Sequence, residues 1–278
     1  MKSSTANTPE VVTGGCLRPR WRSWLLLRWR SWLLLSAQAS DWVHHGVRLP
    51  WRCRPHPCKR KQRLLSTQEH AFLAMEVTRM LAMKAIVATK EKDLVVSSIY
   101  TVAKKCGKRR PVINLRWVNS FINRQHFKMS TMKDVKAAMS SGCYMATVDL
   151  KDCFWALPVC ERDQKYLAFE FMGMRYKFLV LPFGLGPSPL FITKLYRTMV
   201  EYLQARGHRL IIYIDDILIL GQSAIECANT VQALLALLKE LGAVVNYVKS
   251  NITPMQEVEY ISAFVQSVMP HSASKSTM

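Results

Sequence analysis

Long apolar runs are missing from this 278-residue chain, and none approaches the ~18 residues that mark a membrane span. The longest early candidate, residues 24–35, is broken by Arg28 and Arg30. A cleaved leader is equally poorly supported. Ala37-Gln38-Ala39 has the form of a cleavage site, but the unbroken apolar run before it is only Trp32 to Leu35. A leader core needs roughly 7–15 residues, so secretion is not expected. There is no dense cysteine framework either: the eight cysteines, at 16, 53, 58, 106, 143, 153, 160 and 227, are scattered. That excludes a small disulfide-stapled fold and leads us to expect reduced thiols in an intracellular protein. Cys53 and Cys58, with His44, His45 and His56 nearby, lack a second ligand pair at zinc spacing, so no metal is expected there. Acidic residues are scarce, 19 against 39 Lys and Arg, giving a formal charge of +20 and a pI near 9.9. Such an excess favours an anionic partner, either nucleic acid or a membrane surface.

What is present divides the chain at about residue 66. The first 65 residues hold thirteen Lys and Arg against two acids, Glu10 and Asp41, and six of the eight tryptophans. Within them RWRSWLLL occurs twice in succession, at 20–27 and 28–35. Two octamers are too few for a solenoid and fit a duplicated stretch of coding sequence. The segment reads either as a basic aromatic arm or as a disordered tail, and a disordered tail is the expectation. Lys59-Arg60-Lys61 with Arg63 is compatible with nuclear entry, which leaves cytoplasm and nucleus both open.

From Ser66 the pattern is globular, and half of all residues are hydrophobic, enough for a real core. Ser66 and Glu69 form a capping box before a helix expected to reach about Thr89. Residues 94–103 and 111–116 read as a β-hairpin with Lys104, Lys105, Lys108 and Arg109 between its strands. Thr131 and Asp134 cap a short helix ending near Gly142. Strands are expected at 144–149, 166–172 and 175–181, the last two turned at Gly173. Ser188-Pro189 opens a helix, with the serine as N-cap, that closes at Gly207. LIIYIDDILIL, at 210–220, reads as a hairpin. Ser223 and Glu226 cap a further helix with Val231, Leu234, Leu235, Leu238 and Leu241 on one face, ended by Gly242. A strand at 243–247 follows. This order points to an α+β domain in which helices back an antiparallel sheet.

The chemistry centres on Tyr213-Ile214-Asp215-Asp216. Two adjacent carboxylates at the turn of an apolar hairpin repel each other and resist desolvation, an arrangement that a cation would relieve. Asp149, at the end of the strand Ala146-Thr147-Val148, offers a third carboxylate, and Asp152 follows. A hard ion such as Mg²⁺ takes carboxylate oxygens and substrate phosphates. Two such ions, about 4 Å apart, can activate a 3′-hydroxyl and stabilise leaving pyrophosphate.

The stretches KKCGKRRPVINLRWVN (104–119), FKM (127–129), TVDLKDCFWALPV (147–159), LPFGLGPSP (181–189), YIDD (213–216) and LGAVVNYVKS (241–250) occur in an ordered series. Together they resemble reverse transcriptases of retroelements over residues 70 to 268, most closely the DIRS-type and gypsy-like branches. The resemblance implies the fingers and palm of a right-hand polymerase. It also implies RNA-directed DNA synthesis from dNTPs, with two Mg²⁺ or Mn²⁺ ions, an RNA template, a DNA primer and their hybrid, and no membrane partner. By this resemblance Asp149 and Asp215 are direct metal ligands and Asp216 a supporting one. Lys104 and Arg110 would grip the triphosphate, with Asp152, Phe183 and Gly184 beside the nucleotide. Arg116, Asn119 and Tyr213 would face template or primer, and Lys249 would serve the pyrophosphate. Phe154 would be an aromatic steric gate against a ribose 2′-hydroxyl. Core phenylalanine for Phe154 and surface lysine for Lys249 remain open alternatives.

Some positions depart from the family pattern. Cys106 replaces an aspartate in the fingers turn, Ala103 a proline and Arg109 a tryptophan, and Cys153-Phe154-Trp155-Ala156 differs from the commoner form. Ser262 stands where the primer grip usually has glycine. No thumb or RNase H sequence is read before Met278. The alternative expectation is therefore a truncated or decayed remnant that only binds nucleic acid, or a chain whose thumb and RNase H lie downstream or on another chain.

Overall fold

The computed structural model describes residues 36–103, 109–123, 125–261 and 263–267. Helix α1 (Ala37–His45) opens at Ser36, whose side chain accepts a hydrogen bond from the Ala39 amide at 3.2 Å. It closes at Gly46, where φ is +80° and an added Cβ would lie 2.6 Å from the Cys160 nitrogen, so only glycine fits. Ala39, Trp42 and Val43 recur at helical spacing and are buried in the main core, with Trp42 edge-on to Phe191 at 5.0 Å. Downstream, the Leu49 amide and the Trp51 indole donate to the buried Asp163 carboxylate at 2.9 and 3.0 Å. The boundary expected at residue 66 therefore falls inside packed structure. Charge dominated the composition of the segment and masked a short apolar period. Replacing Trp42 by Ala is expected to lower unfolding stability by about 3–5 kcal/mol, measured by urea denaturation. A loss below about 1 kcal/mol would show that α1 is not part of the core.

Helix α2 (Thr67–Ala82) has its capping box: Ser66 Oγ accepts from the Glu69 amide, and Glu69 accepts from the Ser66 amide. It ends seven residues before the expected Thr89. Lys84 takes φ +52°, and Ile86–Thr89 forms strand β2 instead, where β-branched side chains suit sheet pairing. Strand β2 joins β1 (Cys58–Lys59), β3 (Val95–Ser97), β7 (Ala168–Phe171) and β8 (Met174–Phe178) in one sheet of order β1-β3-β7-β8-β2. The β1–β3 and β3–β7 pairings are parallel, and the others antiparallel. The strand expected at 94–103 is interrupted at Ser98. Its second half, β4 (Ile99–Ala103), pairs with β5 (Arg109–Ile113) as the fingers hairpin. The chain then turns into helix α3 (Arg116–Asn119) instead of extending to 116. Helix α4 (Met132–Ala138) keeps its Thr131–Asp134 box and ends short of Gly142.

The second sheet carries the site. Strand β6 (Tyr144–Lys151) is its centre, paired antiparallel with β10 (Asp216–Gly221), β11 (Val244–Val245) and β12 (Asn251–Met255). Strand β9 (Arg209–Tyr213) pairs with β10 across the hairpin. Alternation along β6 sends Ala146, Val148 and Leu150 into the main core and Met145 into a second cluster. Helices α6 (Ser188–Gln204) and α7 (Ala224–Leu241) pack on the first face. The hairpin of β13 (Glu257–Tyr260) and β14 (Ala263–Gln266) closes the second. Burial on both faces explains why the 210–220 run is apolar nearly throughout.

Two helix starts differ from expectation. Ser188 is the first residue of α6 and not its cap; its hydroxyl donates to the Pro182 carbonyl at 3.2 Å, leaving Pro187 at the N-cap position. At α7, Ser223 accepts from the Glu226 amide, but Glu226 accepts from the Gln222 amide and does not reach back to Ser223. That helix closes at Gly242 in the left-handed region, as expected. The remaining short helix, α5 (Glu161–Gln164), follows the turn that contains Phe154.

Candidate active site

The Tyr213–Asp216 hairpin is built by sheet register. Asp216 lies directly opposite Asp149 across β10 and β6, so both side chains project from the same face. Tyr213 and Asp216 close a two-residue hairpin over Ile214 and Asp215. Ile214 has φ +57°, a value at which a β-branched residue is strained and where glycine is usual for such a turn. The tip is held by the Leu150 amide, which donates to the Asp215 carbonyl at 2.8 Å. Strain at this point coincides with the paired acids.

Asp149 is 7% exposed and fully engaged. Its Oδ1 accepts from Asn246 Nδ2 at 2.8 Å and its Oδ2 from Lys249 Nζ at 3.1 Å, while its amide donates to Ser250 Oγ at 3.0 Å. Asn246 and Ser250 were not singled out from sequence. They lie within the stretch 241–250, and only the fold shows that both point at Asp149. Burial pushes the Asp216 carboxyl up to about 6, aided by the charges of Asp215 and Asp149, and Lys249 opposes the rise. Burial also raises Asp215, again with Asp149 adding to it. The Lys249 ammonium is 61% exposed; desolvation pulls its pKa down, but the Asp149 hydrogen bond and the charges of Asp149, Asp215 and Asp216 together raise it and keep it charged.

Among the described residues no three His, Cys, Asp or Glu side chains already converge as an ion-binding group. The donor set nonetheless suits a hard cation. Three carboxylates lie together, two of them with proton affinity raised chiefly by burial and further by neighbouring carboxylate charge, and among the described residues Lys249 is a counter-charge that acts on all three.

The other expected residues are distributed around this centre. Phe154 is 8% exposed and meets Phe183, 40% exposed, edge-to-face at 4.7 Å. Gly184, at φ +90°, lies where an added Cβ would approach the Ile113 carbonyl at 3.4 Å. Asn119 departs from its expected role: its amide donates to the Gly184 carbonyl at 2.9 Å and accepts from the Gly186 amide at 2.8 Å. Both ends of its side chain are thus committed to the 184–186 loop, which makes it a positioning residue. Asp152 accepts from Arg79 at 2.8 Å, so its carboxylate already has a cation. Arg110 and Arg116 are exposed, and Tyr213 is half-buried. Arg109, expected between the hairpin strands, turns inward: it donates to Thr101 at 3.0 Å and lies 3.8 Å from Glu69. Lys104, Lys105, Cys106, Lys108 and Ser262 lie outside the described residues. Tyr260, on β13, is buried, and its hydroxyl donates to the carbonyls of Ile211 and Asp216 at 3.4 Å each. It joins the β13–β14 hairpin to the acid-bearing strand.

A palm sheet with three carboxylates on one face, a fingers hairpin, and a loop tied between them define the fingers and palm of a right-hand polymerase. The family model for reverse transcriptase (RNA-dependent DNA polymerase) matches residues 102–263. The chain belongs to that family. It is 28% identical over 209 residues to the Pro-Pol polyprotein of feline foamy virus, covering 72% of this chain and 18% of the polyprotein. It is 23% identical over 189 residues to the enzymatic polyprotein of figwort mosaic virus, covering 67% and 28%. It is 24% identical over 167 residues to the transposon Tf2-3 polyprotein of Schizosaccharomyces pombe, covering 60% and 12%. The chain thus spans less than a third of these relatives' length. The crystal structure of prototype foamy virus protease-reverse transcriptase superposes with a TM-score of 0.66 at 21% identity, over 89% of this chain and 35% of that one. The foamy viral enzyme in complex with RNA/DNA hybrid gives 0.64 at 18% identity, over 94% and 37%. These superpositions establish the shared fold.

Proposed function

We propose that this chain carries the nucleotidyl-transfer centre of a retroelement RNA-directed DNA polymerase, adding dNTPs to a primer 3′-end. The single observation that carries the reading is the register pairing of Asp216 with Asp149 beside the strained Asp215 turn. Asp149, Asp215 and Asp216 would hold Mg²⁺ or Mn²⁺. When bound, two such ions supply activation of the 3′-hydroxyl and neutralisation of the leaving pyrophosphate. The chain's own residues do the rest. Asn246 and Ser250 orient Asp149. Lys249 offers an ammonium proton donor on the same face. Phe154 and Phe183 form an aromatic wall suited to excluding a ribose 2′-hydroxyl, while Arg110, with Lys104, supplies positive charge for the triphosphate. Membership of the DIRS-type or gypsy-like branch rests on the motif series and belongs to the same proposal. So does completion of the primer–template cleft by a thumb from further sequence or a second chain.

The test is primer extension on poly(rA)/oligo(dT). The expected result is extension that requires Mg²⁺ or Mn²⁺. Salt-sensitive hybrid binding without extension would replace this reading with that of a nucleic-acid-binding remnant.

A further inference from the structure

Helix α2 sends one side chain to the turn that carries Phe154. Arg79 Nη1 donates to Asp152 Oδ2 at 2.8 Å, and the guanidinium carbon lies 4.7 Å from the centroid of the Trp155 ring. The same guanidinium is braced from its own helix by Glu76, at 3.0 and 3.1 Å. Asp152 and Trp155 are the two ends of the turn, joined by the Trp155 amide donating to the Asp152 carbonyl at 2.9 Å. Phe154 lies between them. Asp152 occupies the left-handed region at φ +52°, which aspartate tolerates better than most non-glycine residues and which a partner for its side chain helps to hold. The Trp155 indole nitrogen is buried with no hydrogen-bond partner among the described residues. A small apolar hollow lined by Met80, Ile113, Trp155, Phe178 and Phe183 adjoins the ring. A cation stacked on the indole and paired with the aspartate is what fixes the turn.

We propose that Arg79 is a positioning residue for sugar selection, gripping both ends of the Asp152–Trp155 turn and thereby fixing the Phe154 ring against Phe183. The sugar-selection part rests on the polymerase reading above; the clamp itself does not. Arg79→Met keeps most of the stem and removes the charge, so stem packing persists while the ion pair and the stacking are lost. In the full chain, two readouts are compared between wild type and variant.

The first is exchange of the Trp155 amide, followed without substrate. It is expected to quicken about tenfold in Arg79→Met and to be partly restored in Arg79→Lys, which retains a point charge for Asp152. The second is the ratio of kcat/KM for dTTP over UTP on poly(rA)/oligo(dT). It is expected to fall at least about fivefold, through faster UTP use, with kcat for dTTP within about threefold of wild type. A merely structural role would lower the melting temperature and both nucleotide rates together, and would leave the ratio unchanged. A ratio within about twofold of wild type overturns the assignment to sugar selection. Unchanged Trp155 exchange overturns the clamp. Failure of wild type to extend at all overturns the polymerase reading and sugar selection with it, and the exchange result then decides the clamp alone.

Discussion

Replacing Asp215 by Asn is expected to lower the rate of nucleotide addition by at least about a thousandfold, with hybrid binding changed less than about twofold. The expectation follows from the placement of the residue. Asp215 sits at the tip of the β9–β10 hairpin, beyond the last paired residues, with its backbone carbonyl fixed by Leu150. Its side chain is one of the three negative groups on this face, and burial has already raised its proton affinity. Asparagine preserves the size and the turn but removes the charge that a divalent ion needs. Binding of the duplex is expected to persist, because it would draw on exposed basic residues outside the acid cluster, such as Arg116. Single-turnover extension and filter binding on the same preparations check both halves. Extension at even a tenth of the wild-type rate would remove Asp215 from the catalytic set.

The second large effect concerns stability. In the metal-free chain, Asp216→Asn is expected to raise the melting temperature at pH 7.5 by roughly 3–6 °C. The folded-state pKa of Asp216 lies above its ordinary value, at about 6 against 3.8. Its contribution to stability is therefore fully present below about pH 4 and lost as pH rises through about 6. Above that range the charged carboxylate opposes folding. The shift corresponds to about 3 kcal/mol, reduced to roughly 1–2 kcal/mol because the side chain is only partly withdrawn from water. At pH 4 the wild type and the variant should melt within about 1 °C of each other. Melting curves between pH 4 and 8 in chelator test the sign. A variant less stable than wild type at pH 7.5 would show that Asp216 stabilises the metal-free fold and that the site carries no electrostatic strain.

Local signals explain which parts of the fold were legible. The capping boxes at Ser66–Glu69 and Thr131–Asp134, the turn at Gly173 and the apolar hairpin around Asp215 each lie within a few residues of sequence. Each appears in the structure near its expected place. The end of α2 did not, because Ile86 to Thr89 continue an apolar pattern while pairing with β8, a strand about ninety residues away. Residues 37–49 were obscured by surrounding arginines, although Ala39, Trp42 and Val43 share a helical face. The site shows the same division. The sequence motifs named Asp149, Asp215 and Asp216, and β-sheet register brings them together. No local pattern shows that Asn119 spends both amide ends on residues 184–186, or that Arg79 reaches Asp152 from another element. Side-chain bonds between distant segments leave no periodicity to read.

If Asp149, Asp215 and Asp216 form a divalent-cation site, Mn²⁺ binding will report it. Electron paramagnetic resonance would be recorded on the chain bound to an RNA/DNA hybrid, for wild type beside Asp215→Asn. Mn²⁺ is expected to bind the wild type, to be displaced by Mg²⁺, and to bind at least about tenfold more weakly after the substitution. Equal Mn²⁺ binding by both proteins would contradict such a site.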